Sequence, residues 1–250
     1  MSNSIPEIED CPMMLCVGTN MTECHPIIAL RVKKAVRKGA KLFVVDPRKI
    51  PLAELADGHL QIQLGSDVAL FNAMAKVIID EDLYDKEYVE QRTEGFEELK
   101  KHLEPFTLEY AEQISGVPQE LIRECAIEYG SAERAGIYYT LGITEHICGV
   151  SNVQSLCNLA LITGNLGKRS AGVNPLRGQN NIQGAGDSGA IPSSYPGFQT
   201  VEDPANQAKF QEFYGREIDL EKGITKVRAL QLCGDKIHAM LIDGENTVVS

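Results

Sequence analysis

The chain has 250 residues, 43% of them hydrophobic, and 24 Lys and Arg against 35 Asp and Glu give a formal net charge of -11. That length supports a large buried core in one domain or two, and the acidic balance argues against nucleic acid, whose phosphates demand a basic face. No apolar run reaches the roughly 18 residues of a membrane span, and "MSNSIPEIED" lacks the basic and apolar regions of a signal peptide. The expectation is a cytoplasmic protein with no membrane span and no nucleic-acid partner.

In chain order, "MMLCVG" (residues 13–18) reads as a buried strand ending in glycine. A helix follows in "HPIIALRVKKAVRKG", with Pro26 at its first position, Ile27, Leu30 and Ala35 at helical spacing, and Gly39 as the stop. Lys33, Lys34, Arg37 and Lys38 read as a solvated face near its last turns. "KLFVVDP" is a second buried strand, "HLQIQL" (59–64) an alternating third, and "DVALFNAMAKVII" (67–79) a helix. Strands alternating with helices imply a parallel sheet. Residues 13–17, 42–45 and 62–64 are therefore expected as neighbouring parallel strands with their carboxyl ends on one edge.

Residues 86–130 show four acidic helical stretches, expected as outer helices. "AGIYYTLG" (135–142) reads as a strand and "VSNVQSLCNLALITG" (150–164) as a helix, with Gly164, Gly167 and Gly172 breaking it. "VNPLRGQNNIQGAGDSG" (173–189) is too polar for a core strand and too glycine-rich for a stable helix, so it reads as an irregular loop. Beyond Asp187, "AIPSSYPGFQTVEDPANQ" reads as a long connection and "KIHAMLIDGEN" as a strand running into a glycine turn. The fold class is α/β: a three-layer, Rossmann-like, mostly parallel sheet with flanking helices over residues 1–179. Residues 180–250 read as the beginning of a second, incomplete α/β domain.

The seven cysteines (11, 16, 24, 125, 148, 157 and 233) are odd in number and widely spread, which fits reduced thiols. No pair has the two-residue gap of a zinc or redox motif, and no metal site is assigned. Chemistry concentrates in four polar loops that follow strands: "GTNMTECH", "DPRK", "GSD" and "LGITEH". In a parallel sheet such loops gather at the carboxyl edge, where ligands bind. Gly18 lets backbone approach a ligand, and the following helix offers free amides to an anion. Asp46 ends the second strand, where a carboxylate commonly accepts from ribose hydroxyls, although a GxGxxG motif is absent. The pattern fits either a nucleotide-type ligand or an ordinary α/β domain with turn glycines. Arg177, among glycines and amides, offers a fork that matches a carboxylate bidentately; the alternative is an arginine satisfying loop carbonyls.

At this loop the sequence "GVNPLRGQNNIQGAGDSGAIPSSYPGFQ" closely resembles the molybdopterin oxidoreductases, and within them the formate dehydrogenase catalytic subunits. "GTNMTECHP", "VVDPRK", "DEDLYDKEYVEQRTEGFEELKK", "LITGNLGKRSAGVNPLRGQNN" and "AMLIDGEN" fall in the family's order across the chain. The resemblance implies molybdenum or tungsten held by a bis-molybdopterin guanine dinucleotide cofactor. It implies oxidation of formate to carbon dioxide, or the reverse, with electrons passed to iron-sulphur clusters. Asn20, Glu23 and Cys24 then match a loop contacting one guanine dinucleotide. Asp46 and Arg48 match its nucleotide end, with Gly65 and Asp67 beside it, and Leu141 and Glu145 match positions near the pterin. Arg177 matches the arginine that binds formate, with Gly178 and Gln179 next to cofactor and substrate. Gly244, Glu245 and Asn246 resemble the start of a second dinucleotide site.

Cys24 and Glu145 depart from the serine and glutamine of the pattern, and Gly186 from a frequent cysteine. The family's 4Fe-4S cysteines, its metal-ligating cysteine or selenocysteine and the adjacent histidine are not among these residues. The resemblance thus implies a piece of a catalytic subunit that binds no metal or cluster alone. Its partners would be the remaining domains of that subunit and iron-sulphur electron-transfer subunits. Two other readings stay open: a related enzyme with another substrate, and a non-catalytic scaffold.

Overall fold

The computed structural model describes residues 1–218, 221–244 and 246, and divides into two units, residues 1–178 and 179–250. The first unit holds a five-stranded sheet of β1 (Met13–Val17), β2 (Lys41–Val45), β3 (Gly58–Leu60), β4 (Ala135–Tyr139) and β5 (Gly172–Pro175). The order is β3-β2-β1-β4-β5 and every pairing is parallel. Alternation along each strand sends side chains to opposite faces. Leu15, Phe43 and Ile137 enter one core, and Cys16, Val44 and Tyr138 the other. Helices cover both faces, so the three-layer α/β expectation holds.

One face carries α1 (Met21–Cys24) and α2 (Pro26–Arg37). The other carries α3 (Asp67–Asp80), α4 (Lys86–Arg92), α5 (Phe96–Leu103), α6 (Leu108–Ser115), α7 (Gln119–Ser131) and, after the short α8 (Leu141–Thr144), α9 (Gly149–Ile162). Helix α3 is apolar nearly all round, as a helix wrapped by others must be, and packs against α5, α6, α7 and α9. No helix among the described residues is long and apolar enough to cross a membrane.

Several expectations need correction. The buried stripe of α2 is Ile28, Ala29, Val32 and Ala35, while Ile27 and Leu30 face solvent. Arg31, Lys34 and Lys38 pair with Glu9 and Asp10, which sets the helix rotation one residue from the expected register. Helix α7 is not an outer helix. Its Ile122, Cys125, Ala126 and Tyr129 recur at helical spacing and bury against the sheet, with the acids on the opposite side. The third strand is 58–60, not 62–64. Phe43 fills the space over Gly58, whose absent Cβ would lie 2.6 Å from the ring. The ladder ends where the Asp46 amide bonds to the Leu60 carbonyl at 3.3 Å, and Gln63 turns to Ser115 instead.

The stretch 172–175 is an edge strand, β5, despite its polarity. Pro175, paired with Tyr139, is tolerated there because its nitrogen faces the open side of the edge, where the ladder needs no N–H. The N-terminal residues cover that edge: the Ser2 amide donates to Val173 O at 3.2 Å and the Asn3 amide to Asn174 Oδ1 at 3.3 Å. Glu7 ties the same cover down. Hydrogen bonds from Ser4, Ser170 and Asn3 hold its carboxyl at about 2.

The second unit contains α10 (Ile182–Asp187), the antiparallel pair β6 (Ser194–Tyr195) and β7 (Gln199–Thr200), α11 (Pro204–Tyr214) and α12 (Lys226–Gln231). The glycine-rich stretch thus contributes a short helix and the proline-rich one a hairpin. Residues 238–244 form no strand; among the described residues no neighbour supplies the ladder a strand needs.

The Gly58–Phe43 contact makes a direct test. Gly58→Ala is expected to lower the unfolding free energy by about 1–3 kcal/mol, because a fully buried ring must move. Adding Phe43→Leu should recover part of that loss. Urea denaturation checks both, and an unchanged midpoint for Gly58→Ala would contradict the packing.

Candidate functional site

The strands of a parallel sheet deliver their following loops to one edge, and the strand order reverses between β1 and β4. At that switch point two backbones meet. The Gly18 carbonyl accepts from Thr140 Oγ1 at 2.6 Å and from the Gly142 amide at 3.2 Å. Gly18 has φ +53°, and a Cβ on Gly142 would lie 2.5 Å from Gly18 O. Neither glycine has room for a side chain, so the loops after β1 and β4 meet through main chain and the Thr140 hydroxyl.

The β1 loop is dense in polar atoms that nothing satisfies. Thr19 Oγ1, Asn20 Oδ1, Thr22 Oγ1 and His25 Nδ1 are shielded from solvent without a hydrogen-bond partner, four of nine such side-chain atoms among the described residues. Asn20 sits at the N-cap of α1 yet makes no side-chain cap bond. An unmet buried polar atom costs about 1–3 kcal/mol, so this cluster fits a polar ligand that supplies the missing partners. Glu23 and Cys24 follow on α1 and are exposed.

Asp46, at the end of β2, is 4% exposed. Its Oδ1 accepts from the Arg48 amide at 2.9 Å, which leaves Oδ2 for a further donor. The Arg48 guanidinium is largely exposed and reaches Asp46 only at 3.9 Å. His59 Nε2 bonds to the Asp46 carbonyl at 2.9 Å and stiffens this turn. After β3, Gly65 turns at φ +82° with no atom near its would-be Cβ. Asp67 then starts α3 inside the protein. Burial pushes its carboxyl up; its own amide and the nearby His146 imidazole pull less strongly the other way.

The β4 loop presents Leu141 and Glu145 to solvent, and His146 Nε2 bonds back to Gly142 O at 2.9 Å. Leu64, Leu141, Ile147 and Val150 are all exposed apolar side chains on loops of this edge or just beyond them. Exposed apolar surface beside orphan polar atoms suits a ligand with both characters. A cavity of about 330 Å³ lined in part by Ala73, Lys76, Phe106 and Arg123 lies toward the far end of α3 and contains none of the orphan atoms.

Arg177 follows β5 at the same edge and is exposed. Its carbonyl is bonded to His25 Nε2 at 2.9 Å, and the Leu176 amide donates to Tyr139 O at 2.8 Å. Burial and Cys157 push the Tyr139 hydroxyl up, and the nearby Arg177 guanidinium opposes them. The edge thus brings together Gly18, Asn20, Leu141 and Arg177, with Asp46, Gly65 and Asp67 on neighbouring loops. Gly178 ends the first unit. Gln179, Gly244 and Asn246 belong to the second unit and are exposed, and Glu245 lies outside the described residues. Thr19, Thr22, His25 and Thr140 escaped the sequence reading. For Thr19, Thr22 and His25 the signal was a strand-to-helix loop, "GTNMTECHP", holding more hydrogen-bonding side chains than a helix cap can use.

The whole chain, residues 1–250, matches the family described as molybdopterin oxidoreductase. It is 48% identical to F420-dependent formate dehydrogenase 1 subunit alpha of Methanococcus maripaludis over 250 residues, all of this chain and 37% of that one. It is 51% identical to formate dehydrogenase H of Escherichia coli over 217 residues, 87% of this chain and 30% of that one. Among solved structures, acetylene hydratase from Pelobacter acetylenicus superposes with a TM-score of 0.61 at 30% identity, over 65% of this chain and 24% of that chain. The chain therefore spans about a third of the length of the curated relatives it matches.

Asp67 yields a pH test. Its folded pKa lies above the ordinary aspartate value of 3.8. The folded chain thus binds this proton more tightly than the unfolded chain, and stability falls as pH rises from the ordinary value through the folded one. Asp67→Asn should remove that fall and leave the 250-residue chain at least as stable at neutral pH. Melting temperature against pH measures this; a variant less stable at neutral pH would contradict it.

Proposed function

Because the chain belongs to the molybdopterin oxidoreductase family, we propose that it forms the part of a formate dehydrogenase that seats one end of the cofactor and aims the substrate. Members of the family carry a molybdopterin cofactor. The observation that carries the reading for this chain is the cluster of orphan polar atoms in the β1 loop, where His25 also reaches the Arg177 carbonyl through its other ring nitrogen.

In this reading the cofactor is a bis-molybdopterin guanine dinucleotide with molybdenum or tungsten, and it supplies a two-electron acceptor. Gly18 and Gly142 let the two backbones meet at the switch point, and Thr19, Asn20 and Thr22 offer their unused atoms to the dinucleotide. Asp46 accepts from its nucleotide end through Oδ2, with Arg48, Gly65 and Asp67 alongside and Glu23, Cys24, Leu141 and Glu145 at the rim. Gly244, Glu245 and Asn246 contribute to a second dinucleotide. Oxidation of formate breaks its C–H bond, releases carbon dioxide and a proton, and yields two electrons that pass to iron-sulphur clusters. Arg177 takes both formate oxygens in its planar fork, which neutralises the anion and orients its hydrogen. Gly178 leaves the fork unobstructed, and Gln179 adds a neutral hydrogen bond. The remaining domains and iron-sulphur subunits complete the enzyme.

The hydratase among the structural relatives means that family membership alone does not choose the reaction. The higher identity to formate dehydrogenases favours formate. So does the exposed Arg177, whose guanidinium forms no ion pair among the described residues and whose backbone is held by His25.

In the full-length enzyme, Arg177→Ala should lower kcat/KM for formate by about 10²-fold or more at normal metal loading. Arg177→Lys should lose less, since a point charge replaces a fork. Near-native efficiency of Arg177→Ala would remove the substrate role. Asp46→Ala should instead lower cofactor retention after dialysis, as one charge-assisted bond of about 1.5–3 kcal/mol is lost. Unchanged pterin and metal content would count against Asp46.

A further inference from the structure

We propose that His25 is a positioning residue for Arg177: its imidazole holds the arginine's own carbonyl and so aims the guanidinium. The inference rests on the reading of Arg177 as the formate-binding residue. His25 sits where α1 ends and α2 begins, and its Nε2 reaches Arg177 O at 2.9 Å across 152 positions of sequence. A carbonyl only accepts, so Nε2 carries the proton.

The Arg177 main chain is gripped from two strands. The Leu176 amide is fixed by Tyr139 at the end of β4, and the Arg177 carbonyl by the loop after β1. Gly178 follows with no atom within 4 Å of its would-be Cβ. The guanidinium makes no hydrogen bond or ion pair with a described residue, so the two main-chain hydrogen bonds are what fix the base of the side chain. A charged fork that must meet both oxygens of a small anion tolerates little displacement; an error of about 1 Å can cost 10²-fold. The other ring nitrogen, Nδ1, is buried without a partner and belongs to the orphan cluster of the β1 loop, so the two nitrogens have separate tasks, and the one directed at the arginine is Nε2.

The test uses the complete enzyme with His25→Ala, His25→Gln and His25→Asn, each alone and combined with Arg177→Ala. The glutamine amide nitrogen falls near the Nε2 position, whereas the asparagine amide falls short. His25→Ala and His25→Asn should raise KM for formate on the order of tenfold, the loss of one hydrogen bond, with a smaller change in kcat. His25→Gln should restore most of the difference. Metal and guanine-nucleotide content, measured in parallel, should fall by less than the affinity for formate, because Nδ1 is one of four orphan atoms in the loop. Combined with Arg177→Ala, no His25 variant should add a further loss, because the histidine acts through the arginine.

Equal costs with and without Arg177, cofactor loss in step with activity, or a glutamine no better than asparagine would overturn the proposal. If Arg177→Ala raises KM and His25→Ala does not, His25 alone is wrongly assigned. If Arg177→Ala leaves KM unchanged, the formate reading falls and the His25 role falls with it.

Discussion

The contact between Gly18 and Gly142 is the constraint on which the rest of the site depends. It lies where the strand order reverses, so no helix crosses between the β1 and β4 loops. The two loops touch through a carbonyl, an amide and a threonine hydroxyl, with no room for a Cβ on either side. Main chain at van der Waals distance is stiff, and this stiffness sets where α1 and α8 begin. His25 then carries the geometry of the β1 loop across to β5, and His146 ties the β4 loop back on itself.

The edge is built at a cost in stability. Four side-chain atoms in the β1 loop lack partners, and Asp67 holds a carboxyl in a buried place that disfavours its charge. Native proteins have only about 5–15 kcal/mol to spare, so such features persist where a ligand repays them. The cores on both faces of the sheet supply the margin. Leu15, Phe43 and Ile137 on one side and Leu42, Val44 and Tyr138 on the other are almost wholly buried. A rigid, well-packed sheet beneath under-satisfied loops is the arrangement expected of a preformed binding edge.

Much of this was legible in the residues. The apolar runs at 13–17, 41–45 and 135–139 could only be buried strands, and the loops after them had to share an edge. The misreadings share a cause: local pattern was overridden by partners distant in sequence. Gly58 is strand because Phe43 needs its missing side chain. Residues 172–175 are strand because β4 and the N-terminal residues satisfy a polar backbone. Residues 238–244 are not strand because no described neighbour pairs with them. Helix α7 was misjudged from its acids when its opposite side carried the packing information. At the site, Asp46 and Arg177 stood out by residue type and position. His25 did not, since its role is set by a hydrogen bond across 152 residues that no local pattern encodes.

The central claim is that the loops after β1 and β2 seat a guanine dinucleotide while Arg177, held from the same edge, binds formate. A structure of the complete enzyme with formate bound tests it most directly. The account predicts the dinucleotide against residues 18–25 with its nucleotide end on Asp46 Oδ2, and both formate oxygens within hydrogen-bond distance of the Arg177 guanidinium. A cofactor seated away from the Gly18–Gly142 contact, or an Arg177 turned to protein carbonyls while formate binds elsewhere, would contradict it.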